Sequence, residues 1–180
     1  MIQRIQSLWL LLAATAIALM IAFPIAKYDS ASQAGFKVSA ELNLIAEDNP
    51  EMMEQIEGGI DVVMAQSGYI HTWPILVMAI LMVVLIVASI FMFGNRMRQL
   101  RVVSVSFLLN AMYLFLIMFW AADSFQDSFE QFASTLGCAE SSMSYTLGTW
   151  LPIVSIIFLL LAQHGIKKDE AKVRAADRLR

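Results

Sequence analysis

Charge is scarce in this sequence: Lys, Arg, Asp and Glu make up 15% of 180 residues, where soluble domains carry roughly a quarter. Intrinsic disorder, which needs low hydrophobicity and high net charge, is excluded by a 59% hydrophobic composition and a formal net charge of −3. No long basic run is present and the isoelectric point is near 5.3, so nucleic acid is excluded as a partner, because its backbone demands a concentrated cationic footprint. Cys138 is the only cysteine, which excludes an intrachain disulfide and a CxxC redox centre and leaves a free thiol as the expectation. Also missing are a Gly-rich phosphate loop, a nucleophile elbow and a carboxylate pair on one helix face. No catalytic, cofactor-binding or metal residue is assigned, and the expected class is not an enzyme.

What is present is length without charge. Four apolar runs, 8–26, 75–93, 102–122 and 147–162, contain no charged side chain. At about 1.5 Å per residue, roughly 20 residues cross a hydrocarbon core of about 30 Å, which the first three runs match. The fourth is shorter unless Tyr145 and Gln163 lie at its interfaces. Each should be an α-helix, since unpaired peptide groups cannot face lipid. The predicted fold is an all-α membrane protein, an antiparallel four-helix transmembrane bundle in a single domain over 1–180. External loops at 27–73 and 123–146, a link at 94–101 and a tail at 163–180 complete it. His71 and His164 then lie at opposite ends of their helices, about 30 Å apart, and cannot share a metal ion.

Sorting charges by segment orients these spans, because Lys and Arg are retained on the cytoplasmic side of short loops. Arg4, the link Arg96, Arg98 and Arg101, and the tail Lys167, Lys168, Lys172, Arg174, Arg178 and Arg180 hold 10 of the 12 basic residues. The two longer loops hold 12 of the 15 acids. Both termini are therefore expected in the cytoplasm, and the near-neutral total conceals a strong segregation. Trp73, Trp120, Trp150, Tyr28, Tyr69 and Tyr145 fall at the predicted outer edges, where amphipathic rings suit the headgroup zone, and Trp9 near the inner one. Pro74 and Pro152 are expected in the first turns of their helices. The first run also has a secretory-signal layout, but Pro24 occupies the third position before a cut after Ala26, so an uncleaved anchor is expected.

In the first external loop, residues 36–44 alternate apolar and polar, a half-buried strand pattern. Met52, Met53 and Ile56 suggest one side of a short helix that Gly58-Gly59 ends, and Ile60–Met64 a second strand, giving a β-hairpin supported by the bundle. In the second loop Phe125, Phe129 and Phe132 have helical spacing, so the third helix should continue as an amphipathic segment that packs on the first loop or binds a partner.

Inside the spans Asn110 is the strongest polar side chain, with Tyr113 and Ser106 on its face. Asn110 lines a weakly polar path, as in a small transporter or channel subunit, or hydrogen-bonds across a helix interface; both readings stay open. Ala14, Ala18 and Ala22 recur every four residues and suggest a close-packing seam, within the chain or with a second copy. The methionines at 78, 82, 92, 97 and 112 suit adaptable packing better than a copper site.

The tail from Ile166 lacks helix breakers and pairs Glu170 with Arg174 at i, i+4, so it should extend the fourth helix. It is a docking site or a stop-transfer signal. Met1-Ile2-Gln3-Arg4-Ile5-Gln6, Asn95-Arg96, Lys168-Asp169-Glu170, Val173-Arg174 and Ala176-Asp177-Arg178-Leu179-Arg180 together resemble a family of uncharacterised bacterial four-helix inner-membrane proteins, a domain-of-unknown-function family. The resemblance implies a multi-pass inner-membrane protein and no substrate, cofactor or catalytic residue. It directs attention to both ends and to an interaction surface made by Arg4, Asp169, Glu170, Arg174, Asp177 and Arg178. The expected partners are the lipid bilayer, a membrane or cytoplasmic protein and a second copy of the chain.

Overall fold

The computed structural model describes residues 2–32, 37–45, 52–56, 59–65, 73–92, 94–135 and 137–178. In chain order these form helix α1 (Ile2–Ala22), strands β1 (Ala26–Ser32), β2 (Lys37–Leu42), β3 (Met52–Ile56) and β4 (Gly59–Ala65), and helices α2 (Trp73–Phe91) and α3 (Arg96–Leu116). A π-helical turn (Ile117–Ala121), helix α4 (Ala122–Thr135), strand β5 (Cys138–Tyr145) and helix α5 (Leu147–Arg178) follow. The protein is mostly helical. Among the described residues four stretches, Ile5–Ala22, Trp73–Phe91, Arg96–Gln131 and Leu147–Ala175, are long and apolar enough to cross a membrane.

The chain divides into two compact units. The first comprises Met1–Leu19, Val77–Leu114 and Leu151–Arg180. Its helices bury narrow rows at alternating intervals of three and four residues: Gln6, Leu10, Ala13 and Ile17 on α1; Ala79, Met82, Ile86 and Ser89 on α2; Gln99, Val103, Ser106, Asn110 and Tyr113 on α3; Ser155, Leu159, Ala162, Ile166 and Asp169 on α5. That spacing is the seam of coiled-coil-like packing. Leu10, Ala13, Ala14, Ile86, Val103, Leu159, Ala162 and Ile166 form the core, with Trp9 stacked on Phe158 at its edge. Small residues permit a close crossing of α5 and α1, where the Ser155 hydroxyl donates to the Ala13 carbonyl at 3.1 Å. The seam therefore follows Leu10, Ala13 and Ile17, and Ala18 and Ala22 face outward. An exact four-residue repeat advances 400° and drifts about 40° per step off a 3.6-residue helix, so a row of alanines that starts in the seam rotates out of it. The opposite faces are as apolar as the buried ones: Leu11, Val84, Leu108 and Ile157 are each more than half exposed.

The second unit comprises Met20–Leu76 and Phe115–Trp150 and holds a five-stranded sheet in the order β3-β4-β2-β1-β5. β1 pairs antiparallel with β2 and β5, β3 antiparallel with β4, and β2 parallel with β4. Three expectations change here. Met52–Ile56 is a strand rather than a short helix, 60–64 lies in a strand that runs parallel to β2 instead of closing a hairpin with it, and the second loop supplies a strand of its own. The hairpins are β1-β2 and β3-β4. The alternation read in 36–44 does mark a buried face, with Ala40, Leu42 and Leu44 buried, and β1 matches it with Ala26, Tyr28 and Ser30. Lys27 and Glu41, directly opposite in the antiparallel register, form an ion pair on the other face.

At the π-helical turn the Ala122 N–H reaches the Ile117 carbonyl, one residue beyond α-helical spacing. The inserted residue keeps Ile117, Ala121, Phe125, Phe129 and Ala133 on one buried row. Tyr28 fills that row from β1: its ring lies 4.7 Å from Phe125 and 5.8 Å from Phe129 between centroids, and its hydroxyl donates to the Ala122 carbonyl at 2.8 Å. The aromatic stripe of α4 thus packs on the first loop; the Phe132 side chain lies outside the described ones. Gly137, with φ +76°, supplies the left-handed turn from α4 into β5. α5 starts at Leu147, where the Thr149 hydroxyl donates to the Ile25 carbonyl at 2.6 Å and the Gly148 N–H to the Pro24 carbonyl at 3.1 Å. Pro152 consequently sits one turn further into the helix than its first turn.

Candidate functional site

Among the described residues, polar side chains gather in three places. In the first unit the charged residues meet where α3 begins and α5 ends. Asn95 starts α3 as its N-cap, its side-chain oxygen accepting from the Arg98 N–H at 3.3 Å. From the first turn of α3 the Arg96 guanidinium donates to the Asp169 backbone carbonyl at 3.2 Å, and the Asp169 carboxylate accepts from the Gln6 amide at 2.5 Å. Asp169 is the last member of the buried α5 row, so its carboxylate is turned into the helix contact rather than toward solvent. Gly165 lets this happen, since a Cβ there would stand 3.0 Å from the Gln6 Cγ. Glu170 and Arg174 form an i, i+4 ion pair at 2.5 Å, and the same guanidinium lies 3.7 Å from the Met97 sulfur on α3.

Of the six residues picked out at the termini, the geometry therefore joins Glu170 with Arg174 and withdraws Asp169 to a pairing with α1. Arg4, Asp177 and Arg178 lie on α1 and α5 but outside the described side chains. Gln6 is the member that charge does not reveal; its signal is its place on the row Gln6, Leu10, Ala13, Ile17. Around the cluster Arg98, Arg101, Lys167, Lys168 and Lys172 are exposed, with no side-chain partner among the described residues.

The second place is the buried face of α3. Ser106 donates back to the Val102 carbonyl at 3.0 Å, which satisfies it within its own helix. Asn110 and Tyr113 are fully buried, and the expected hydrogen bond from Asn110 across a helix interface is not formed: both amide atoms of Asn110 and the Tyr113 hydroxyl have no hydrogen-bond partner among the described residues. Residues i and i+3 share a face, but here neither bonds to the other. An unpartnered buried polar atom costs about 1–3 kcal/mol, so this stretch of α3 is held against a local penalty.

The third place lies in the second unit, an open pocket of about 310 Å³ lined by Ser30, Glu130, Ala133, Ser134, Cys138 and Ser141. The Glu130 carboxylate accepts from Gln126 at 2.9 Å and from the Ser141 hydroxyl at 2.8 Å. Cys138 is a free thiol, largely buried at the start of β5. Nearby, burial raises the Tyr28 hydroxyl above the ordinary tyrosine value, and Tyr145 and Asp123 push it the same way. Among the described residues no three His, Cys, Asp or Glu side chains converge as metal ligands. His164 is exposed on α5, and His71 lies outside the described residues.

A comparison with curated proteins finds no match. The family model described as a domain of unknown function, DUF4293, matches residues 2–179. That span takes in every element described above, and the chain belongs to this family.

Proposed function

We propose that the chain is a multi-pass, non-enzymatic protein of the bacterial inner membrane, with both termini in the cytoplasm and a charged cytoplasmic end that engages lipid or protein partners. The observation that carries this reading is the outward face of the helices in the first unit. Leu11, Val84, Leu108 and Ile157 are exposed where a water-soluble bundle would present charge. Lipid is the solvent that such faces fit. The segregation of charge along the chain supports the orientation, with ten basic and three acidic residues assigned to the inner segments and two and twelve to the outer loops.

Accessibility tests both claims. In a Cys138→Ser background, Ser142→Cys on exposed β5 should react with an impermeant maleimide in intact spheroplasts, and Lys172→Cys only after lysis. The reverse pattern defeats the orientation, and recovery of the chain in the carbonate-extractable fraction defeats the membrane reading.

A second reading, a small transporter or channel subunit, draws on Asn110 and Tyr113, which have no hydrogen-bond partner among the described residues. Asn110→Leu separates the two. If Asn110 only packs, the substitution leaves thermal stability unchanged or raised, because removing an unpaired buried amide relieves its desolvation cost. If Asn110 lines a path, solute flux in reconstituted vesicles falls.

A further inference from the structure

We infer that the exposed cations around the α3 start and α5 end form a docking surface for anionic phospholipid headgroups. This rests on the membrane reading above. By sequence the tail mixes signs, with Asp169 and Glu170 among its lysines. The fold separates them. The Asp169 carboxylate is buried against Gln6, and Glu170 is paired with Arg174. Arg98, Arg101, Lys167, Lys168 and Lys172 remain exposed, and none has a side-chain ion pair among the described residues. The contacts of Arg96 with the Asp169 carbonyl and of Arg174 with Met97 bring the two helix ends together, so these charges lie at one end of the first unit.

Depth selects the occupant. Arg101 directly precedes the apolar run that begins at Val102, and Lys167 directly follows Ile166, the last apolar member of the buried α5 row. Cations at the last step of a spanning helix lie at the level of lipid phosphates. A soluble acidic partner needs charge that projects beyond that level, whereas at least two of these five are held at it.

The full-length chain is incorporated into bilayers of equal parts phosphatidylglycerol and phosphatidylcholine and released into mild detergent, and the lipids that stay bound are counted by native mass spectrometry. Phosphatidylglycerol should be retained over phosphatidylcholine by about fivefold or more, the discrimination expected of one fully engaged cation at an anionic surface. The variant Arg98→Gln, Arg101→Gln, Lys167→Gln, Lys168→Gln, Lys172→Gln should retain both lipids equally, and the charge-keeping set Arg98→Lys, Arg101→Lys, Lys167→Arg, Lys168→Arg, Lys172→Arg should keep the preference. The unaltered chain gives an independent measure, since raising salt from about 50 to about 500 mM should erode the preference by screening.

Equal retention of the two lipids by the unaltered chain overturns the inference and leaves the membrane reading standing. So does a preference that survives the Gln variant, or a dimer mass that the Gln variant abolishes without any lipid preference. A chain that never enters the bilayer overturns both.

Discussion

Tyr28 shows how one side chain joins a strand to a helix. It alternates with Ala26 and Ser30 on the buried face of β1, its ring sits against Phe125 and Phe129, and its hydroxyl bonds the Ala122 carbonyl just after the π-helical turn. Because burial raises its pKa above the ordinary 10.0, the neutral phenol is the form that the fold favours. The stability it contributes is fully present below pH 10, and is lost as pH climbs from there toward the folded value. Unfolding in detergent should therefore grow easier above about pH 10, and Tyr28→Phe should flatten that alkaline decline. At neutral pH the same substitution should cost about 0.5–1.5 kcal/mol for the lost hydrogen bond, read from denaturant or thermal midpoints. An alkaline slope unchanged in the variant refutes this account of Tyr28. The spacing of Phe125 and Phe129 marks their side of this contact in the sequence, whereas nothing local marks Tyr28 as the residue that meets them. The alternation of Ala26, Tyr28 and Ser30 was the available signal, masked because it follows directly on an apolar run that reads as helix.

At the scale of elements, the apolar runs are legible because a helix that faces lipid needs no polar side, so length alone marks it. The sheet is less legible. β3 contains Met, Glu and Gln, which prefer helix locally, and becomes a strand by pairing with β4. β5 is rich in serine and is held as a strand by β1 on its one paired edge, information carried more than a hundred residues away. The parallel pairing of β2 with β4 has no local signature, since its register is set by chain crossing rather than by a turn. Where backbones approach closely, a single added methyl group tests the arrangement. A Cβ on Gly148 would press into the Pro24 and Phe23 carbonyls, both backbone atoms, whereas a Cβ on Gly94 would meet nothing within 4 Å. Gly148→Ala should therefore lower stability by about 1–3 kcal/mol. Gly94→Ala should be close to neutral, and equal melting temperatures for the two variants would exclude the close approach at the start of α5.

For the molecule as a whole, the charged and buried polar residues carry the argument only if lipid surrounds the helices, and tryptophan reports on that surroundings. Trp73 opens α2, Trp120 lies in the π-helical turn and Trp150 sits in the first turns of α5, each exposed, while Trp9 is half-buried and stacked on Phe158. Exposed indoles near the edges of the apolar runs suit the headgroup zone, where the ring meets hydrocarbon and its N–H meets water. α5 has 32 residues, about 48 Å at 1.5 Å per residue, and so exceeds a hydrocarbon core of about 30 Å. If Trp150 stands at one headgroup level, the excess emerges beyond the other, where Lys167, Lys168 and Lys172 follow the apolar row. In bilayers carrying spin-labelled lipids, variants that keep only Trp73, only Trp120 or only Trp150 should be quenched more strongly by a label near the lipid carbonyls than by one near the terminal methyls. Stronger quenching by the deep label would move those positions into the core and break the match between helix length and lipid thickness. Loss of quenching by both labels, with an iodide quencher effective instead, would place the indoles in water and remove the basis for reading the exposed apolar faces as lipid-facing.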